Sequence, residues 1–312
     1  MMKIAIIGPG EMPIPPSGWG AVEILIWDYY QILKKEGFDV HIINDRNPSN
    51  IINSVNSLDP DFIHIQYDNW FFLENSFRCK NIALTSHFAY LEQPNKHAGY
   101  TEIFNGFCNS RSWIFALSEG IKKSYIQGGK DPNLISVIPN GVRTDLFKFS
   151  EECEDKSIYL AKIDYRKRQH LFHDIPNLFF AGNIEDSRYN MNNYLGELSK
   201  EYLYQNLTRF SNLILLSDGE AHPLVCLEAL SSGLGLVISE FSTGNLDISK
   251  PFIDVIPESK INDTAYIESI IRENRLKSRK YRTEIREYSK EFDWEKVIKY
   301  DYVPLIKKIA NK

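Results

Sequence analysis

Short apolar runs, bounded by glycine, proline and polar residues, recur along this 312-residue chain and alternate with longer stretches of helical periodicity. Residues 3–7 form the first run and end at Gly8. A loop rich in proline and glycine covers 9–20. An amphipathic pattern then runs from Ala21 to about Lys35, with Val22, Leu25, Ile26, Tyr29 and Leu33 on one face and Gly37 as its stop. The next run spans 39–44. Strand, helix and strand in this order predict a parallel sheet. Further strands are predicted over 62–66, 81–86 and 113–117. A charged stretch at 151–156 reads as a linker edge, and strands resume over 157–161, 178–181, 213–216 and 236–239. Helices are predicted over 202–210, 263–286 and from 292 toward Ile309, with a loop-rich segment at 241–257.

Composition narrows the class. A hydrophobic content of 43% with 25% charged residues describes a soluble globular protein, long enough for two domains with separate cores. The formal net charge of −5 gives no electrostatic footprint for nucleic acid. Cys79, Cys108, Cys153 and Cys226 are scattered without CxxC or zinc spacing, which predicts buried free thiols in a reducing compartment. The sequence begins in a strand, without a leader-like segment, and holds no uninterrupted apolar run of ~20 residues. A cytoplasmic location is therefore expected, and the Asn206-Leu207-Thr208 and Asn262-Asp263-Thr264 triplets are read as chance glycosylation patterns.

The richest chemistry lies in residues 217–240. A strand leads into a polar loop, then an apolar helix ending at Gly233, then a second strand. Glu220 stands before the helix and Glu228 eight positions on, in its early turns. Pro223 suits the first helical position, where a missing N–H has no helical partner to lose. A helix starting at a strand's carboxyl end points free N–H groups and a positive dipole end at a ligand, which makes an anion site. Glu228 could then reach a hydroxyl on whatever the anion carries.

Other motifs stand elsewhere in the chain. Gly8-Pro9-Gly10 begins a GxGxxG pattern, with Asp45 placed like a ribose-binding acid, but Pro13 stands where the third glycine belongs and Pro15 and Pro16 delay the helix. Asp59-Pro60-Asp61 has an Asp-x-Asp form; its proline and the apolar alternation after it read as the start of a strand, so no metal is expected. His87 stands just past a predicted strand, where parallel sheets face their ligand. Between a strand and a helix lie Lys162, Lys167 and Arg168, a basic cluster placed for phosphate.

Ser217, Glu220, Pro223 and Glu228 resemble the paired-glutamate motif of retaining glycosyltransferases of family 4 (group 1), which have the GT-B fold. The glycine loop at 17–23, the Thr85-Ser86-His87 run, Ile138-Pro139-Asn140-Gly141 with Phe147, the cations at 162 and 167–168, and Phe292-Asp293-Trp294-Glu295 resemble its other signatures in the same order. Asn140-Gly141 is also simply a good turn. The resemblance implies an α/β GT-B fold: two Rossmann-like domains, 1–150 and 151–290, facing a central cleft, with residues 291–312 crossing back onto the first. It implies catalytic roles for Glu220 and His87, and a donor diphosphate held by Lys162, Lys167, Gly18, Gly20, Leu224 and Val225. Glu228 would hold the ribose, with His222 and Pro223 at the sugar turn, where the family usually has Phe-Gly. Family members carry Gly-Arg where this chain has Ala161-Lys162, and an extra helix and strand between Gly182 and Tyr194, so the second domain reads as trimmed. The implied reaction transfers a sugar from a nucleoside diphosphate sugar, UDP- or GDP-linked, to a hydroxyl acceptor with retention, without metal or cofactor. The acceptor class spans glycans, lipid-linked sugars and small molecules, with peripheral membrane contact open. A non-catalytic nucleotide-sugar binder, or a phosphorylase or epimerase on the same fold, remains an alternative.

Overall fold

The computed structural model describes residues 1–16, 20–96, 98–185, 189 and 193–311, and for residues 95 and 98 the backbone alone. The chain divides into two compact units, Met1–Asn140 with Trp294–Lys312, and Gly141–Asp293. The division falls at 140/141 and 293/294, where 150/151 and 290/291 were expected. The reason is local: the Val142 N–H donates to Phe292 O at 2.9 Å, so the second unit opens and closes on adjacent backbone.

In the first unit, β1 (Lys3–Ile7), α1 (Ala21–Lys35), β2 (Asp39–Ile43), α2 (Pro48–Leu58), β3 (Phe62–Ile65), β4 (Ile82–Leu84), α3 (Thr101–Asn109), β5 (Trp113–Ala116), α4 (Glu119–Gln127) and β6 (Ile135–Val137) follow in order. The strands form one parallel sheet in the order β2-β1-β3-β4-β5-β6, with Ile4 between Val40 and Phe62. The order reverses between β1 and β3, and such a switch point opens a crevice beyond the strands' carboxyl ends. α1 is the amphipathic helix expected, burying Leu25, Ile26, Tyr29 and Leu33. α2 was not predicted, although its signals are in the sequence: the Asn47 side chain accepts from the Ser49 N–H, and Pro48 takes the first helical position. Asp59 ends that helix in the left-handed region (φ 49°), while Asp61 accepts the Lys3 N–H at 2.7 Å, so both aspartates serve the helix-to-strand turn. Asp45 likewise serves α2, accepting from the Asn47 N–H and Asn50 Nδ2.

The terminal segment belongs to this unit. α9 (Trp294–Lys296) passes through a π-helical turn, Val297–Tyr302, into α10 (Val303–Ala310). The winding changes next to Pro304, which has no N–H to give to a preceding carbonyl. Trp294 and Tyr302 each pack on Tyr29 with ring centroids 4.9 Å apart.

In the second unit, β7 (Ser157–Leu160), β8 (Leu178–Ala181), α5 (Lys200–Asn206), β9 (Asn212–Leu215), α6 (Leu224–Ser231), β10 (Gly235–Ser239), β11 (Ile253–Ile256), α7 (Thr264–Lys280) and α8 (Arg282–Ser289) build a parallel sheet ordered β11-β10-β9-β7-β8. Its switch point lies between β7 and β9. α7 lies close on the sheet because β10 starts with Gly235, where a Cβ would stand 2.1 Å from Ser278 Oγ. The cost of burying amides there is offset by mutual bonding: Asn274 Nδ2 donates to Leu236 O, Phe252 O and Asp254, and Asn212 donates to Asn274. α6 is held at its carboxyl end by two arginines of α8. The buried Arg282 guanidinium donates to the carbonyls of Ser150, Thr208, Phe210, Ser232 and Gly233, and Arg286 to those of Ser231 and Thr144. Cations at a helix carboxyl end also complement its dipole.

Among the described residues no helix is long and apolar enough to cross a membrane. All four cysteines are free thiols. Arg282→Met should destabilise the protein by at least ~3 kcal/mol in urea unfolding, because it strands several buried carbonyls at once. A loss below ~1 kcal/mol would mean that the loops satisfy those carbonyls without the arginine.

Candidate active site

At the β7/β9 switch point, two loops meet. The one after β7 carries Arg166, Lys167 and Arg168; the one after β9 carries Ser217, Asp218 and Glu220. Tyr159 joins them from β7: its buried hydroxyl donates to Lys167 O and accepts from the Leu216 N–H. The Asp218 N–H reaches Arg166 O at 2.9 Å. This geometry converges on the Glu220 carboxylate, which takes Lys167 Nζ and, at 3.0 Å, Arg166 Nη1 on one oxygen. Arg166 is set by Gly219 O at 2.5 Å and Ser217 Oγ at 3.3 Å. Burial pushes the Glu220 carboxyl up, but the two cations outweigh it and hold the group below the usual carboxylate range. Burial also lowers Lys167, against the pull of Glu220. The β9 loop that carries Glu220 leads into α6, where the first-turn N–H groups of Leu224 and Val225 have no partner within the helix.

α6 begins one residue later than expected, with Pro223 as its cap at φ −72° and ψ 110°. That extended conformation is one proline adopts freely, so a proline in place of the usual glycine is compatible with the turn. His222 is buried, and burial lowers it to about 4, so it packs as a neutral ring. One turn into α6, Glu228 is paired with Lys200 of α5.

In the first unit the carboxyl ends of β1, β3 and β4 gather Gly8, Gln66 and His87. Trp70 Nε1 donates to Gly8 O at 3.1 Å, and His87 Nε2 lies 2.8 Å from Gln66 Oε1. Burial lowers His87 to about 4. Gly20 caps α1 at φ 129°, with the buried Glu23 carboxyl beside it, raised mainly by burial.

Residues 43–146 match the family model described as Glycosyltransferase Family 4. Among solved structures, the chain is similar to HepE of Anabaena in complex with UDP-glucose, at 14% identity and TM-score 0.73, over 100% of this chain and 99% of that one. Sucrose-phosphate synthase from Thermosynechococcus elongatus aligns over 100% of both chains, at 14% identity and TM-score 0.81. The lipopolysaccharide outer core galactosyltransferase WaaB aligns at 18% identity and TM-score 0.67, over 96% of this chain and 98% of that one. The chain has the GT-B fold. No curated protein matches it in sequence.

Within this GT-B chain, the candidate residues fall into groups. Glu220, Lys167, Leu224, Val225, His222 and Pro223 lie on the β9 loop, the facing β7 loop and the start of α6. Lys162 departs from the expectation. Its Nζ pairs at 2.6 Å with Glu185 on a half-exposed surface, and Arg166 takes the second place on Glu220. The bend after Ile163 turns Arg166 inward. Arg168 is engaged by Asp218 and by both oxygens of Glu258. Gly18 lies outside the described residues. Among the described residues no cluster of three or more His, Cys, Asp or Glu has metal-site geometry. Arg166, Tyr159 and Lys200 carried no motif, and only the basic run flagged the first.

His64, His87 and His222 are all held neutral by burial, lowered to about 3, 4 and 4. An unfolded histidine takes a proton near pH 6.5, so between about pH 6.5 and 4 the unfolded chain binds more protons and stability drops as pH is lowered. The loss should be on the order of 2 kcal/mol per histidine at about pH 5, with no contribution from these groups above about pH 7.5. Glu220, held low, adds its own loss only below about pH 4.5. Chemical denaturation at about pH 7.5 and pH 5 checks this; equal stability at both would contradict neutral burial.

Proposed function

We propose that the chain is a glycosyltransferase that moves a sugar from a nucleoside diphosphate sugar, UDP- or GDP-linked, to a hydroxyl acceptor, with retention and without metal. The observation that carries this reading is the Glu220 carboxylate held by Lys167 and Arg166 beside the start of α6. A departing diphosphate gathers negative charge. Lys167, Arg166 and the first N–H groups of α6 are cations and dipoles already in place for it, the kind of preorganised stabilisation that needs no metal. Lys162 joins them only by leaving Glu185. In the free protein Glu220 answers those cations; when phosphate takes them over, its oxygens turn to the donor sugar's hydroxyls. Glu228, shared with Lys200, meets the ribose. By the family resemblance His87 contacts the transferred sugar, and the leaving phosphate takes the acceptor's proton. HepE, solved with UDP-glucose, supports a nucleotide-sugar donor.

The test is a panel of UDP- and GDP-hexoses, with and without hydroxyl acceptors, analysed for product and released nucleoside diphosphate. Transfer with retained anomeric configuration in the presence of EDTA is expected. Binding without turnover across the panel, donor hydrolysis included, would reduce the protein to a binder, and product formed from donor alone would make it an epimerase.

Lys167→Ala should weaken binding of the nucleoside diphosphate by ~1.5–3 kcal/mol, the value of a charge-assisted contact, and leave the free nucleoside nearly unaffected. Calorimetry on both ligands decides it. Equal losses would place the lysine away from the phosphates.

A further inference from the structure

Under His87 runs a buried chain of hydrogen bonds whose proton directions are fixed from one end, all within the first unit. Thr85 Oγ1 donates to the backbone oxygen of Phe115 at 3.3 Å. Its lone pairs are what it offers His64 Nε2, 2.8 Å away, so that nitrogen carries the ring's proton. Burial keeps the His64 ring neutral, lowered to about 3, which makes Nδ1 an acceptor. Two donors converge on it: the Tyr302 hydroxyl at 3.1 Å and Gln66 Nε2 at 3.3 Å. The Gln66 amide is thereby oriented, with Oε1 turned to His87 Nε2 at 2.8 Å. A carbonyl oxygen only accepts, so His87 Nε2 bears the hydrogen.

We propose that Gln66 is a positioning residue that fixes His87 as the Nε2–H tautomer, so that its Nδ1 lone pair accepts a hydrogen bond from a substrate hydroxyl. The proposal rests on the reading of His87 as a sugar-contacting residue and deepens it by naming the partner atom. A lone pair repels phosphate and carboxylate oxygens and welcomes an O–H, so the group recognised is a hydroxyl of the sugar or of the acceptor. Tyr302 extends the device to the terminal segment, 238 positions from His64. A second buried group stands at the same strand ends: Asp68, raised by burial to about 6 against the hydrogen bonds of Ser86 and Tyr100. His64 and Tyr302 are titratable groups of the same buried chain, and Tyr29 of α1 packs edge-on against His64.

The direct test is a long-range ¹⁵N–¹H correlation spectrum of the imidazoles in the free wild-type protein, which needs neither donor nor activity. His87 should show one neutral tautomer, protonated at Nε2. The Nδ1–H form, or an averaged mixture, overturns the proposal, and the spectrum stands whether or not any variant folds. Gln66→Glu adds the functional arm. A carboxylate at Oε1 favours the imidazolium, which has no lone pair, so transfer should drop at least ~10-fold near neutral pH, about the worth of one hydrogen bond. It should recover as pH rises past the new His87 pKa, with nucleoside diphosphate affinity unchanged. A drop of equal size at every pH would mark Gln66 as merely structural and overturn the positioning role. A wild-type protein that transfers no sugar would remove the proposed function while the spectrum still judged the tautomer.

Discussion

The second unit depends on one ionic arrangement, a nearly buried Glu220 carboxylate held by Lys167 and Arg166 at the β7/β9 switch point. Charges taken out of water persist only when paired and hydrogen-bonded, and both loops are shaped to meet that demand. Tyr159 ties Lys167's own backbone to the end of β9, Gly219 and Ser217 orient Arg166, and Asp218 with Glu258 occupies Arg168. The same constraint reaches the far end of α6. Its carbonyls are held by Arg282 and Arg286, which anchors the helix at that end.

An ion pair of this kind is more a placeholder than a staple. Replacing it with apolar residues of similar volume is often neutral for stability, so the energetic reason to keep it lies elsewhere. Arg166, Lys167 and Arg168 share this neighbourhood with Asp164, Asp218, Glu220 and Glu258, so the pairing is a network rather than a single bond. The first unit handles its polar groups differently: burial keeps His64 and His87 neutral, and a chain of bonds from Phe115 O to His87 sets proton direction rather than charge.

Much of this was legible in the sequence because the responsible signals are local. β1, α1 and β8 fall where the apolar periodicity ends, and the terminal segment was expected on the first unit. What stayed hidden depends on tertiary pairing. β6 and β11 are only three and four residues long, too short for periodicity to separate them from loops, whereas α2 and α3 do carry helical spacing (Ile51, Val55, Leu58; Phe104, Phe107, Cys108) and were legible as helices. That Lys162 pairs with Glu185 while Arg166 reaches Glu220 was not legible, because spacing along the chain counts charges but not the bend and turn over 164–168. Lys200 could not be linked to Glu228, nor Tyr302 to His64, since neither pair shares an element. The boundary at Asn140/Gly141 followed from the pairing of Val142 with Phe292, which no local pattern announces.

The most direct test of this account is an experimental structure of the protein with a bound nucleoside diphosphate. The account predicts phosphate oxygens within hydrogen-bond distance of Lys167, Arg166 and the first N–H groups of α6, with Glu220 displaced from at least one of its two cations. Phosphates lodged elsewhere, with the Glu220–Lys167–Arg166 arrangement undisturbed, would contradict it.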